Sequence, residues 1–384
     1  MQTSASAALQ VLCVFGTRPE AIKMAPVVRA LKADGRFDCR LCVTAQHRQM
    51  LDQVLELFDL VPDEDLNLMR ADQGLAELSA RALTGLDEVL QRRQPHVVLV
   101  HGDTTTSFIA GLAAFYRRIP VGHVEAGLRT GDLHAPWPEE FNRRVVGLVA
   151  RLHFAPTQRA FRALVNEGVP ASHIGITGNT VIDALKVVSQ RLDEDTALSA
   201  RQAALLPTLD PARRLILVTG HRRENFGEGF QNICRALAEL SRRPDVQIVY
   251  PVHLNPNVQG PVHAMLSRCG NVHLIAPQDY LPFVWLLKNC HLALTDSGGL
   301  QEEAPVLGKP VLVMRETTER PEALEAGTAE LVGTNVQRIV GAAARLLDYP
   351  AAYQRMAQAH NPYGDGTAAT RIAHLLAQWD RTLV

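Results

Sequence analysis

Two Rossmann-like domains of doubly wound α/β architecture are predicted by three observations. Short apolar runs rich in Val, Ile and Leu recur with helix-patterned stretches between them. The runs are apolar throughout rather than alternating, as strands buried on both faces of a parallel sheet are. They also fall into two sets of about five, separated near 187–213 by a polar, Ala-rich stretch containing LDEDTALSARQ. A length of 384 residues exceeds what one hydrophobic core usually supports, which agrees with two domains.

The first set reads LQVLCVF, FDCRLCVTA, PHVVLVHG, IPVGHVE and RLHFAPT; the second reads RRLILVTG, VQIVYPV, NVHLIAP, CHLALTD and KPVLVMR. The first strand of each set runs into a loop spelling G-x-R-x-E, Gly16 to Glu20 and Gly220 to Glu224. Matching loops at matching places predict similar domains, each presenting the carboxyl ends of its strands to a shared cleft, where open α/β sheets bind ligands. The loop Gly16-Thr-Arg-Pro-Glu has one glycine before its helix, so the G-x-G-x-x-G dinucleotide fingerprint is absent. Pro19 falls near the first helical turn, where proline is at home.

Composition limits the partners. With 39 basic and 40 acidic side chains the net charge is −1, which gives no whole-protein attraction to nucleic acid or an anionic membrane. Any anion site must be local. No apolar run approaches the roughly 20 residues of a membrane span. MQTSASAALQ lacks the basic-then-apolar layout of a signal peptide, so the cytoplasm is the expected compartment. Six cysteines do not make a disulfide framework; Cys39 and Cys42 lie in a strand and point to opposite faces, with no second pair. The 14 histidines show no H-E-x-x-H spacing, and no bound metal is expected.

Candidate site residues gather at strand ends. Arg18 sits at a helix mouth with Lys23 about one turn on, a pair suited to a diphosphate. HGDTTTS places Asp103 beyond the third run, among residues that also make good helix N-caps. Capping accounts for one such residue, not for His101, Asp103 and Glu125 all ending neighbouring strands. PWPEEFNRR adds Glu139 and Glu140 after two prolines that hold a loop. Several carboxylates beside arginines suit proton transfer or a grip on sugar hydroxyls. His221, on the strand-to-helix loop of the second set, is read as a phosphate-side or acid/base residue. In LTDSGGLQEEA, small residues after a strand make room for phosphate, and Glu303 lies about one turn further in, at ribose distance. Glu302 points roughly 100° away around the helix and has no assigned role.

The motifs GTRPEAIKMAP, TAQHRQMLDQVL, HGDTTTS, GHVEAGLRTGD, PWPEEFNRR, GNTVIDAL, TGHRRENFG, YPVHLNPNV, LTDSGGLQEEAP, MRETTERPE and NPYGDG closely resemble those of the bacterial non-hydrolysing UDP-N-acetylglucosamine 2-epimerases. The similarity runs in order from about residue 10 to 366. It implies a GT-B, glycogen-phosphorylase-like fold with a first domain of 1–177, a UDP-binding domain of 178–365, and a C-terminal helix of about 366–384 packing back on the first. It also implies a homodimer without NAD, metal or other cofactor.

By resemblance, UDP is held by Arg18, Lys23, Gln278, Phe283, Ser297, Gly298, Gly299, Glu303 and Arg320, while Asp103, Glu125, Glu139 and His221 act at the sugar. A second UDP-GlcNAc, as allosteric activator, would meet Gln46, Gln49, Arg70, Glu140 and His253. The implied reaction interconverts UDP-GlcNAc and UDP-ManNAc, supplying ManNAc units for cell-surface polysaccharide. C2–H of the substrate ring is not next to a carbonyl, so direct deprotonation is prohibitively slow. Expelling UDP from C1 makes it acidic and gives 2-acetamidoglucal, to which UDP returns after a proton arrives on the other face. Which carboxylate serves which face stays open at this stage. A GT-B glycosyltransferase and a non-catalytic nucleotide-sugar sensor are the alternatives.

Overall fold

The computed structural model describes residues 8–45, 48–70 and 73–379. The chain forms two units, Met1–Ala184 with Tyr363–Val384, and Leu185–Pro362. In the N-terminal unit seven strands, β1 (Leu9–Phe15), β2 (Phe37–Val43), β3 (Glu64–Asp65), β4 (Val97–His101), β5 (Val121–Val124), β6 (Leu152–Ala155) and β7 (Ile174–Ile176), form one sheet in the order 3-2-1-4-5-6-7. In the C-terminal unit β8 (Arg214–Thr219), β9 (Val246–Pro251), β10 (Val272–Ile275), β11 (Leu292–Thr295), β12 (Val311–Val313) and β13 (Ala329–Leu331) follow the order 10-9-8-11-12-13. All these pairings are parallel.

Ten of these strands coincide with the apolar runs. The other three, β3, β7 and β13, each close one edge of a sheet. These three are short as well as at an edge, where one neighbour suffices, and they leave little hydrophobic signal; the fourth edge strand, β10, does carry an apolar run. Accordingly β3 is only Glu64–Asp65, and β7 and β13 each bury one residue of three. The expected two sets of about five strands are therefore corrected to seven and six.

Central strands are buried along nearly their whole length; all five residues of β4 are inaccessible. In the C-terminal unit Ile216, Val218, Tyr250, Leu292 and Leu294 pack with Phe230, Ile233 and Leu237 of the helix Glu228–Leu240 and with Ile339 and Leu346 of the helix Val336–Asp348. In the first unit Cys13 and Cys39 face each other across β1 and β2 with sulfurs 3.8 Å apart, and all six cysteines are free thiols. Among the described residues no helix is long and apolar enough to cross a membrane.

The expected boundary at 177/178 lies in the loop before the helix Thr180–Glu194, whereas the division falls inside that helix, after Ala184. The cause is local. Asp183 in its first turn accepts from the backbone N–H groups of Ala369 at 2.8 Å and Ala368 at 3.2 Å, and so caps the helix Ala368–Gln378. Arg371 Nη1 adds a bond to the Thr177 carbonyl at 3.1 Å, and Asn179 N–H donates to the Tyr363 carbonyl at 2.7 Å. The first turn thus belongs to the N-terminal unit. That closing helix is described over Ala368–Gln378, and residues 380–384 of the expected span lie outside the described residues.

Candidate functional site

Both sheets reverse strand order once, between β1 and β4 and between β8 and β11, and at such switch points the carboxyl ends of open α/β sheets form ligand crevices. At the first, Gly16 follows β1. A Cβ there would lie 1.9 Å from Thr44 Oγ1 and 2.6 Å from Thr106 Oγ1, two hydroxyls that bond each other at 2.9 Å. The glycine is therefore required by close packing of β1 against its neighbours. Glu20, fully buried, accepts from Gly16 N–H at 3.1 Å and Thr17 N–H at 2.8 Å. It also accepts from Thr104 Oγ1 at 2.6 Å and Ser107 Oγ at 2.9 Å, which ties the β1 loop to the β4 loop.

The helix Thr105–Tyr116 is capped by Thr104, whose hydroxyl accepts Ser107 N–H at 3.1 Å. Asp103 is thereby left for other work: its carboxylate pairs with Arg143, and its carbonyl accepts from Asn142 Nδ2 at 2.9 Å. Lost hydration raises its pKa, the Glu125 charge adds to the rise, and Arg143 works against it. Glu125 follows β5 with φ +61°, a left-handed conformation that costs a non-glycine residue on the order of 1–2 kcal/mol. Its carboxylate pairs with Lys23, accepts from Asn179 Nδ2 at 2.8 Å and lies 3.6 Å from His101 Nε2. Burial lowers the His101 pKa to about 4, so that ring is neutral at neutral pH.

Adjacent strand ends thus present two carboxylates in different settings, one with a raised pKa and one held by a lysine and an amide. Contrasting pairs of this kind define acid and base in many enzymes. Glu139 opens the helix Glu139–Val149 and is partly buried. Arg18 occupies the first position of the helix Arg18–Ala33, also partly buried.

Glu140, expected at the second UDP-GlcNAc, makes its contacts within the protein here. It is fully buried, with its oxygens accepting from the backbone N–H groups of Thr130 at 3.1 Å and Gly131 at 3.4 Å, and pairing with Arg143 at 3.3 Å and Arg144 at 3.2 Å. A carboxylate engaged in this way sets the loop and Arg143. Gln49 and His253 are exposed, and Arg70 is exposed with Glu77 3.6 Å away. Gln46 lies outside the described residues.

At the second switch point the loop after β8 spells the same G-x-R-x-E but is built differently. Glu224 pairs with Arg315 instead of capping its own loop. The backbone N–H groups of His221 and Arg222 go instead to Asp296 Oδ2, each at 2.8 Å. Asp296 follows β11 and is fully buried. In both units, then, a buried carboxylate binds the first-strand loop at the switch point. The residue that supplies it comes from the loop's own helix in one and from the neighbouring strand in the other.

His221 is exposed over 44 % of its side chain and stacks on His253, with ring centroids 5.2 Å apart. Ser297, Gly298 and Gly299 follow Asp296 into the short helix Gly298–Glu303. A Cβ on Gly298 would lie 3.6 Å from Glu319 Oε2, 3.9 Å from Arg320 Cζ and 4.0 Å from Arg222 Nη2, so two guanidinium groups converge over this glycine. Burial works to raise the Glu319 pKa, but Arg222 and Arg315 outweigh it and hold the carboxyl below its ordinary value.

Glu302, which carried no assignment, is almost completely buried and ion-pairs with Arg320 Nε, anchoring that side chain. Glu303 Oε1 accepts from Tyr280 OH at 3.0 Å. Tyr280 begins the helix Tyr280–Asn289, which carries Phe283, and Gln278 lies just ahead of it, so that segment is brought beside Glu303. Sequence patterns missed Arg143, Asn179, Arg222, Tyr280 and Asp296, and the pairing of Glu302 with Arg320. Of these only Asp296 carried a local signal, an acid directly after a strand with four buried residues. Among the described residues no cluster of three or more His, Cys, Asp or Glu side chains is arranged to hold a metal ion.

Two parallel doubly wound units with polar residues gathered at both switch points define a two-domain α/β protein of the GT-B-like class. The sequence profile of UDP-N-acetylglucosamine 2-epimerase matches residues 29–377. The chain is 60% identical over 376 residues to UDP-N-acetylglucosamine 2-epimerase of Yersinia pestis, covering 98% of this chain and 100% of that one. It is also 60% identical over 369 residues to the Escherichia coli K12 protein of the same name, at 96% and 98% coverage. Among solved structures, UDP-GlcNAc 2-epimerase from Neisseria meningitidis, bound to UDP-GlcNAc, superposes with a TM-score of 0.90 at 50% identity, covering 97% of this chain and 100% of that one. This chain belongs to the UDP-N-acetylglucosamine 2-epimerase family.

Proposed function

We propose that the protein interconverts UDP-GlcNAc and UDP-ManNAc by elimination and re-addition of UDP. The observation that carries this reading is the 60% identity, along nearly the full length of both chains, to proteins named for that epimerisation. The contrasting carboxylates Asp103 and Glu125 support it chemically. In the first step the C1–O bond to UDP breaks with its electron pair leaving on the diphosphate, a carboxylate takes the C2 proton, and a C1–C2 double bond forms. In the second a proton reaches the opposite face of C2, and a diphosphate oxygen re-forms the bond to C1.

Asp103, Glu125 and Glu139 are the proton-transfer candidates. Arg18, Lys23, His221 and Arg320 stabilise the departing charge, which favours the transition state over bound substrate. Lys23 also pairs with Glu125. Ser297, Gly298 and Gly299 hold the diphosphate and Gln278 and Phe283 the uracil side. Glu303 takes the ribose hydroxyls, and its bond from Tyr280 fixes the carboxylate for that contact. Hydrogen bonds to a charged group contribute about 1.5–3 kcal/mol, so Glu303→Ala is expected to weaken UDP binding by roughly ten- to a hundredfold in calorimetric titration. Unchanged affinity would remove Glu303 from the nucleotide site.

A second, activating UDP-GlcNAc is read onto the exposed Gln49, Arg70 and His253, with Glu140 acting only through the Thr130–Gly131 loop and Arg143. A homodimer in the cytoplasm completes the reading. Phe115 and Tyr116, 57% and 65% exposed, and Leu148, 84% exposed, end two helices that pack on each other, and they offer an apolar face for a second copy.

The direct test is incubation with UDP-GlcNAc in D₂O, followed by NMR. A mixture of both UDP-sugars, deuterated at C2, is the expected result. Free sugar would indicate hydrolysis, and unchanged substrate a sensor or a transferase lacking its acceptor.

A further inference from the structure

Asp296 holds an oxygen that the fold does not use. Its Oδ2 accepts three donors, the N–H groups of His221 and Arg222 at 2.8 Å and Asn225 Nδ2 at 3.4 Å. Its Oδ1 is buried and has no hydrogen-bond partner. Buried carboxylate oxygens are seldom left without a donor, because lost hydration is then uncompensated. His221 Nδ1 lies 3.7 Å from this oxygen, beyond hydrogen-bond length by less than one ångström. The ring can make up that difference by turning, since its side chain is nearly half exposed and its one ring neighbour, His253, is stacked face to face at an interplanar angle of 16°.

We propose that Asp296 is a positioning residue that takes a hydrogen bond from His221 Nδ1–H, so that Nε2 is the outward nitrogen and the ring is supported as an imidazolium beside the leaving diphosphate. The role given to the diphosphate rests on the epimerase reading; the pairing itself rests on the geometry above. Burial holds the His221 pKa below its ordinary value, and His253 and Arg222 add to the fall; Asp296 works against it and favours the charged ring. An acid that orients a histidine in this way acts through the tautomer it selects, as in hydrolase triads.

Asp296→Asn tests this, because the two backbone N–H groups keep one oxygen in place and turn the amide nitrogen toward Nδ1. That nitrogen can only donate, so Nδ1 must accept and the wrong tautomer results. The expected result is a kcat at least about tenfold lower with KM changed much less, and a high-pH limb of kcat displaced to lower pH. Combined with His221→Gln, the substitution should add nothing to the loss caused by His221→Gln alone. Losses that multiply would show that Asp296 serves only the loop backbone, and would overturn the proposal. ¹⁵N NMR of the imidazoles in the unaltered protein needs no variant: a protonated Nδ1 on His221 is expected, and a neutral ring protonated only at Nε2 overturns the pairing. If the unaltered protein fails to exchange the C2 hydrogen of UDP-GlcNAc, the epimerase reading falls while the NMR result still decides the pairing.

Discussion

Asp103→Asn will bind UDP about as tightly as the unaltered protein and turn over UDP-GlcNAc on the order of 10² to 10⁴ times more slowly, the usual contribution of a positioned proton-transfer group. The amide keeps the volume of the carboxyl and can still face Arg143, and the N-cap beside it belongs to Thr104, so the helix Thr105–Tyr116 keeps its start. The ability to exchange a proton is lost, along with the charge that faces Arg143, which keeps Glu140 as a partner. A second readout follows from the environment. Burial and the charge on Glu125 raise the pKa of Asp103, so the limb of the rate profile that it controls lies above the ordinary aspartate range. If Asp103 must be ionised, activity falls as pH drops through that raised value, and this limb vanishes in the variant. Near-normal kcat would remove Asp103 from the chemistry.

Glu302→Ala is expected to destabilise the C-terminal unit by up to about 3–5 kcal/mol, because it removes an ion-pair partner from a charge that stays largely buried. Glu302 and Arg320 are 2% and 15% exposed, so solvent screens the pair little. The loss should be read in that unit alone, as faster amide exchange in β8 and β11 during urea titration. UDP affinity should fall with it, since Arg320 loses the group that aims its guanidinium toward Gly298. The double variant Glu302→Leu with Arg320→Met should regain much of the stability but none of the affinity. Recovery of both would show that Arg320 has no part in holding UDP.

Strands buried on both faces were legible because burial demands unbroken apolar runs, as in β1 and β4, and the switch-point loops could then be placed. The strands β3, β7 and β13 were not, for each is two or three residues at a sheet edge, too short to leave an apolar run. Among site residues, those next to strand ends could be found by position, whereas their supports could not. Asn179 reaches Glu125 across 54 residues of sequence and Arg143 reaches Asp103 across 40, and neither residue type is unusual where it stands. Glu302 was set aside on helical geometry. A direction about a helix axis shows where a side chain points, not that an arginine 18 residues further on waits there. The two G-x-R-x-E loops carry the opposite lesson, since identical spelling at equivalent places gave different hydrogen bonding.

The capping of the helix Ala368–Gln378 by Asp183 reaches beyond the resting structure into how the chain is made. A ribosome releases β1 to β7 long before that helix exists, and it must synthesise the whole C-terminal unit in between. Until then the Arg371 bond to Thr177 and the Tyr363 carbonyl that receives Asn179 N–H are missing. The N-terminal unit begins first and finishes last. Free chains truncated before Tyr363 should therefore hold the C-terminal unit as the better-formed of the two, although it is the second to be made.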